Sequence, residues 1–141
     1  MKNYLFLLLV LCLSHKGASL KIYDDFEQGK AAAKSNHTKI FMFFDFYGSC
    51  NTCSRIRAYL TDRRIKNALR PYTVIHLMCD DRAKYNDTMT VGEHNSELQI
   101  RLTDYFSQLM FCVLDTNEQL LSPLLGYCKK EELLSFIENG Y

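Results

Sequence analysis

The chain alternates between uninterrupted apolar runs and stretches whose apolar residues recur at helical spacing. Ile40 to Phe46 is apolar except for Asp45. It lacks the polar alternation of a half-exposed strand, which predicts a central strand covered on both faces. Thr73 to Cys79 and Met110 to Leu114 read as two further strands. Gln119 to Leu125 reads as the antiparallel partner of the latter, across a turn at Asp115-Thr116-Asn117-Glu118, with Pro123 tolerable on a sheet edge. Leu20 to Tyr23 is a short extended lead-in.

Helical signals fill the intervals. Asp24-Asp25 is a cap for a helix to about Ser35, with Phe26, Ala32 and Ala33 inward, and Asn36-His37-Thr38 breaks it. Ile56, Tyr59 and Leu60 keep helical spacing after Cys53, leaving Arg55, Arg57, Arg63 and Arg64 to a solvated face. Thr61 or Asp62 caps a second stretch, Arg63 to Leu69, closed off by Pro71. A polar loop, Lys84 to Gly92, leads to a helix over Glu93 to Leu102. A last helix over Lys129 to Asn139 carries Leu133, Phe136 and Ile137 on one stripe and stops at Gly140. The predicted order is helix, strand, helix pair, strand, helix, hairpin, helix, an α/β arrangement with a mixed sheet.

Composition narrows the class. The 141 residues are 48% apolar and 13% aromatic, which fits one globular domain, and a formal charge of +1 gives no reason to expect nucleic acid or an anionic membrane surface. The start of the chain stands apart. Lys2, an apolar block from Tyr4 to Leu13, and the small residues Gly17-Ala18-Ser19 predict a signal peptide, residues 1–19, cleaved after Ser19. The apolar block falls short of the roughly 20 residues of a membrane span, so an uncleaved anchor is the lesser reading. The mature domain is then 20–141. Without Lys2 and Lys16, 15 of the 17 basic residues remain against 16 acidic ones, near neutrality.

Export changes how the cysteines read, because disulfides persist outside the cytosol. Without Cys12, five remain, an odd number. Cys50 and Cys53 form a C-x-x-C pair between the apolar strand and a helix, which points to redox chemistry. So short a loop makes a poor fold staple. Cys50 at the helix N-terminus is the expected nucleophile, and Cys53 the resolving thiol. Half a metal site, or an inert pair, is the alternative. Asp45, at the end of a buried strand, is expected to have a raised pKa and to serve as a proton relay for Cys53. Cys79 and Cys112 read as core thiols in strands. Cys128 reads as a helix N-cap. His15, His37, His76 and His94 show no ligand spacing, and none is a convincing base. Asn36-His37-Thr38 and Asn86-Asp87-Thr88 match glycosylation triplets of little specificity.

From about residue 20 onward the chain resembles exported thioredoxin-like proteins, particularly the C-terminal periplasmic domain of DsbD-type thiol:disulfide interchange proteins. The resemblance rests on Phe43 to Cys53, Thr61-Asp62, Asp80-Asp81, Thr90 to Glu93, Leu98-Gln99, Ser107-Gln108, Val113 to Asp115 and Gly126-Tyr127. It implies a thioredoxin fold, with a mixed central sheet flanked by helices on both faces. It also implies a Cys50–Cys53 disulfide and dithiol exchange with protein thiols and disulfides, in the reducing direction. No bound cofactor and no resident metal are expected. A membrane-bound electron donor and a bacterial periplasmic location are implied, with secretion as the alternative; any membrane contact runs through an uncleaved signal.

The resemblance also implies a substrate strip at Ser49, Gln108 and Leu109. Two departures mark it. Relatives carry a cis proline where this chain has Leu109, and a cis bond before a non-proline residue costs about 2.5–4 kcal/mol, so Gln108–Leu109 is expected to be trans. Relatives also place an aromatic before the first cysteine and have one more residue there; this chain has Tyr47-Gly48-Ser49 and no tryptophan. The missing proline favours a rival reading, a thioredoxin-fold binding module with little or no turnover.

Overall fold

The computed structural model describes residues 19–48 and 50–141. The predicted signal segment, through residue 18, and Ser49, assigned to the substrate strip, lie outside the described residues. In order, the elements are β1 (Ile22–Tyr23), α1 (Phe26–Asn36), β2 (Lys39–Asp45), α2 (Asn51–Tyr59), α3 (Arg63–Leu69), β3 (Tyr72–Met78), α4 (Val91–Thr103), β4 (Met110–Leu114) and α5 (Lys130–Glu138). The strands form one mixed sheet in the order β1-β3-β2-β4. β2 runs parallel to β3, with Phe43 opposite His76, and antiparallel to β4, with Phe43 opposite Phe111.

β2 has no polar alternation because both its faces are covered. Phe41 and Phe43 pack with α2, α3 and α5 through Ile56, Ile65, Leu69, Leu133 and Phe136. Ile40, Met42 and Phe44 pack on the other face, against Phe26, Ala33, Leu98 and Leu102 of α1 and α4. Ile40 to Phe44 are all fully buried, and each Å² of apolar surface so covered stabilises the fold by about 25 cal/mol. Among the described residues no helix is long and apolar enough to cross a membrane.

Local chemistry fixes the helix starts. Asp25 caps α1 through Gln28 N–H, and Asp62 caps α3 through the N–H groups of Arg64 and Ile65. α4 begins two residues before the predicted Glu93, because Thr90 and Glu93 form a reciprocal capping box. Gly92 is required by close approach: a Cβ there would sit 2.7 Å from Asp81 N and 2.9 Å from Cys79 O.

Three expectations need correction. Ala32 is only half-buried, and Ala33 alone of that pair lies in the core. Gln119 to Leu125 forms no strand. It follows β4 through isolated bridges, Leu114 with Leu120 and Phe111 with Leu125. Between them the Ser122 hydroxyl takes the Val113 N–H at 2.8 Å, and Pro123 has no N–H to give, so the ladder breaks. Cys128 is not a helix cap; Lys129 holds that position, and Cys128 is buried one residue earlier.

Candidate functional site

The C-terminal end of β2 delivers the chain to α2, and the short connection is clamped from two sides. Asp80, just after β3, accepts hydrogen bonds from Tyr47 N–H at 2.9 Å and Gly48 N–H at 2.6 Å. Arg57, on α2, reaches back to the end of β2. Its Nε donates to Asp45 Oδ2 at 2.5 Å and its Nη2 to Phe46 O at 2.9 Å, while the guanidinium lies 4.4 Å above the Tyr47 ring. The predicted solvated arginine face therefore loses Arg57, whose side chain is only 24% exposed.

Cys50 is the N-cap of α2 and Cys53 lies one turn in. The two are joined in a disulfide, and Cys53 N–H donates to Cys50 Sγ at 3.0 Å. The pair is asymmetric: Cys50 is half-buried, whereas Cys53 is wholly buried against the core. An accessible sulfur at a helix N-terminus, held by a backbone N–H, is a setting that favours thiolate. A concavity of about 760 Å³, lined in part by Asp24, His76, His94 and Arg101, has neither cysteine in its wall.

Asp45 is fully buried, as predicted, but its chemistry differs from the expectation. Burial pushes its carboxyl up, yet hydrogen bonds from His76, Arg57 and the Phe46 N–H outweigh burial and hold it below the ordinary value. His76 Nε2 lies 2.9 Å from Oδ2 and must donate, since an ionised carboxylate only accepts. The His76 ring stacks on Phe43 at 4.5 Å. Asp45 is thus a paired carboxylate and not the protonated acid expected, and neither cysteine is among its hydrogen-bond partners.

Across the site, the Gln108–Leu109 bond is trans. Leu109 is fully buried in the cluster that includes Cys53 and Ile56. Its carbonyl accepts from Ser107 Oγ at 3.0 Å. Gln108 is exposed and accepts from the Tyr127 hydroxyl at 3.3 Å; that hydroxyl also lies 3.7 Å from Cys50 Sγ. Sequence reasoning missed Arg57, His76, Asp80 and Tyr127. Asp80 and Tyr127 had a signal, in the Asp80-Asp81 and Gly126-Tyr127 pairs.

Cys79, Cys112 and Cys128 are free and buried. Burial pushes Cys79 and Cys112 up to about 12, and burial together with Glu132 pushes Cys128 up to about 11. Cys79, just past the end of β3, and Cys112, in β4, belong to strands separated by β2. Among the described residues no three His, Cys, Asp or Glu side chains are grouped to hold a metal ion.

No family model and no curated protein matches the chain. Solved structures do match. A thioredoxin from Thermus thermophilus aligns with a TM-score of 0.65 at 18% identity, over 86% of this chain and 87% of that one. DsbH oxidoreductase aligns with a TM-score of 0.64 at 15% identity, over 88% of each chain. The C-terminal domain of DsbD from Neisseria meningitidis, in its oxidised form, gives 0.57 at 18%, over 86% of this chain and all 100% of that one. Such identities speak for architecture, and the sheet order and two-sided helical cover agree with them: the chain has the thioredoxin fold.

Proposed function

We propose that this chain is a thiol:disulfide oxidoreductase that exchanges electrons with protein thiols and disulfides through Cys50 and Cys53. The observation that carries this is the asymmetry of the pair: Cys50 is the accessible cap of α2 and Cys53 is buried one turn in. In the reducing direction the Cys50 thiolate attacks a substrate disulfide, forming a mixed disulfide and releasing one substrate thiolate. Cys53, deprotonated, then attacks Cys50 Sγ. The Cys50–Cys53 disulfide forms, the second substrate thiolate leaves, and two electrons have passed to the substrate. Protonation of the two leaving thiolates completes the balance. The dithiol stands outside the described concavity, which suits a macromolecular substrate better than an enclosed small molecule.

Related folds support the class. DsbH is described as an oxidoreductase, and the DsbD domain exists in both oxidised and reduced forms. The reducing direction, a membrane-bound electron donor and export as a 20–141 domain complete the proposal. Export rests on Lys2, the Tyr4–Leu13 block and Gly17 to Ser19. Asp45 acts here as the anchor of the β2–α2 junction in place of the free acid first expected, because Arg57 and His76 keep it ionised.

The second reading is a binding module with little turnover, favoured by the buried Leu109 at the cis-proline position. Reduction of insulin disulfides by dithiothreitol, with and without the protein, separates the two. Acceleration by wild type and none by Cys50→Ser is expected; equal rates for both would leave the binding module.

A further inference from the structure

Cys50 has a polar neighbour beyond its own helix. Tyr127, in the turn before α5, keeps 52% of its surface exposed while its hydroxyl lies 3.7 Å from Cys50 Sγ and 3.3 Å from Gln108 Oε1. The three residues come from three separate parts of the chain, 77 and 19 positions apart. A phenol carries one proton and donates to one acceptor at a time.

While the disulfide is closed, Cys50 Sγ is a neutral, weak acceptor, and the amide oxygen of Gln108 is the better one. Opening the disulfide makes Cys50 a charged acceptor, and hydrogen bonds to ionised groups are roughly twice as strong as neutral ones. The hydroxyl hydrogen then turns from Gln108 to Cys50. We propose that Tyr127 is the side-chain donor that stabilises the Cys50 thiolate, and that Gln108 is the resting acceptor of the same hydroxyl while the disulfide is closed. No covalent bond changes at Tyr127, which keeps its proton throughout. When a mixed disulfide is attacked at its substrate sulfur, Cys50 Sγ is the leaving group and its charge is met by this donor; when Cys53 attacks Cys50 Sγ, the substrate sulfur leaves and Tyr127 has no charge to meet.

The inference rests on the thiol–disulfide reading above but is tested apart from it. The reduced protein is alkylated with iodoacetamide across pH, and the rate at Cys50 is followed by mass spectrometry. Burial keeps Cys79, Cys112 and Cys128 out of the signal. Tyr127→Phe leaves an exposed ring in place and is expected to raise the Cys50 midpoint by about one pH unit, the low end for a hydrogen bond to a charged group. Above both midpoints, equilibrium with glutathione then shifts about tenfold toward the disulfide, which is about 30 mV more negative. Gln108→Leu, which removes the competing acceptor, is expected to lower the midpoint by less than this, and to have no effect in the Tyr127→Phe background. An unmoved midpoint in Tyr127→Phe overturns the proposal. So does a Gln108→Leu effect of equal size in both backgrounds. Neither result alters whether wild type reduces insulin and Cys50→Ser does not, so failure of the two readings is distinguishable.

Discussion

Arg57→Met tests whether the junction beside the dithiol is held by a buried charge pair. Methionine keeps an unbranched apolar stem and removes the guanidinium, with its contacts to Asp45, Phe46 O and the exposed Tyr47 ring. Asp45 would then remain fully buried with two donors, His76 Nε2 at 2.9 Å and the Phe46 N–H at 2.8 Å. Breaking a buried ion pair typically costs about 3–5 kcal/mol. Arg57 is a quarter exposed and two donors survive, so the expected loss at pH 7 is the lower figure of about 2–3 kcal/mol. The sign with pH follows from the direction of the Asp45 shift. Its folded pKa is depressed, so its contribution in wild type is present above the ordinary 3.8 and lost only as pH falls through the still lower folded value. In Arg57→Met the carboxyl loses one of its two side-chain donors, and burial pushes it upward, so protonation in mild acid relieves the variant first. The gap between the two proteins should therefore narrow from pH 7 to pH 4. Urea unfolding of the oxidised proteins, followed by far-UV circular dichroism since the chain has no tryptophan, measures it. A gap below about 0.5 kcal/mol, the usual size of a surface change, would refute the reasoning. So would a gap that does not depend on pH.

Other expectations follow from single features. Gly92→Ala should cost about 1–3 kcal/mol through overpacking against the Asp81 and Cys79 backbone. Gly126→Ala, whose nearest neighbour would be 3.7 Å away, should stay within about 0.5 kcal/mol; equal losses in the two would contradict the geometry. Native protein at pH 8 should take up no iodoacetamide at Cys79, Cys112 or Cys128, and all three should label in denaturant; labelling of folded Cys128 would show that its thiol is less shielded than its burial implies. Leu109→Pro should raise insulin-reduction turnover where docking limits the rate, while lowering stability by the loss of a buried leucine, about 2–5 kcal/mol for truncation of such a side chain. Lower turnover in a variant that remains folded would remove the missing proline as the limit.

What could be read in advance was what depends on near neighbours. β4 spans the predicted Met110 to Leu114, and Asp62 caps α3 as its position before Arg63 suggested. The Thr90-Val91-Gly92-Glu93 string even held the capping box that moves the start of α4, although the polar loop composition hid it. The failures are contacts across the fold. Arg57 looked solvated because its helix face is polar; its partner lies 12 residues back, reached only because the β2–α2 connection turns sharply. His76 meets Asp45 through the β2–β3 register, which no local pattern encodes. Burial of Asp45 was legible, but the direction of its shift depended on these two unseen donors. The Gln119–Leu125 strand failed for a finer reason, a serine hydroxyl in place of a backbone partner.

The three buried thiols bear on how the protein survives its own chemistry. A molecule with five cysteines past the predicted signal risks rearranging its bonds each time a reactive sulfur opens. Here the risk is removed by insulation: thiols held near 11 and 12 stay protonated at any ordinary pH and neither attack nor exchange. That protection exists only while the sheet is closed. In the unfolded chain all five sulfurs are equivalent, so reoxidation after denaturation yields scrambled isomers unless folding precedes oxidation. The core that seals these sulfurs is what makes a single pair addressable.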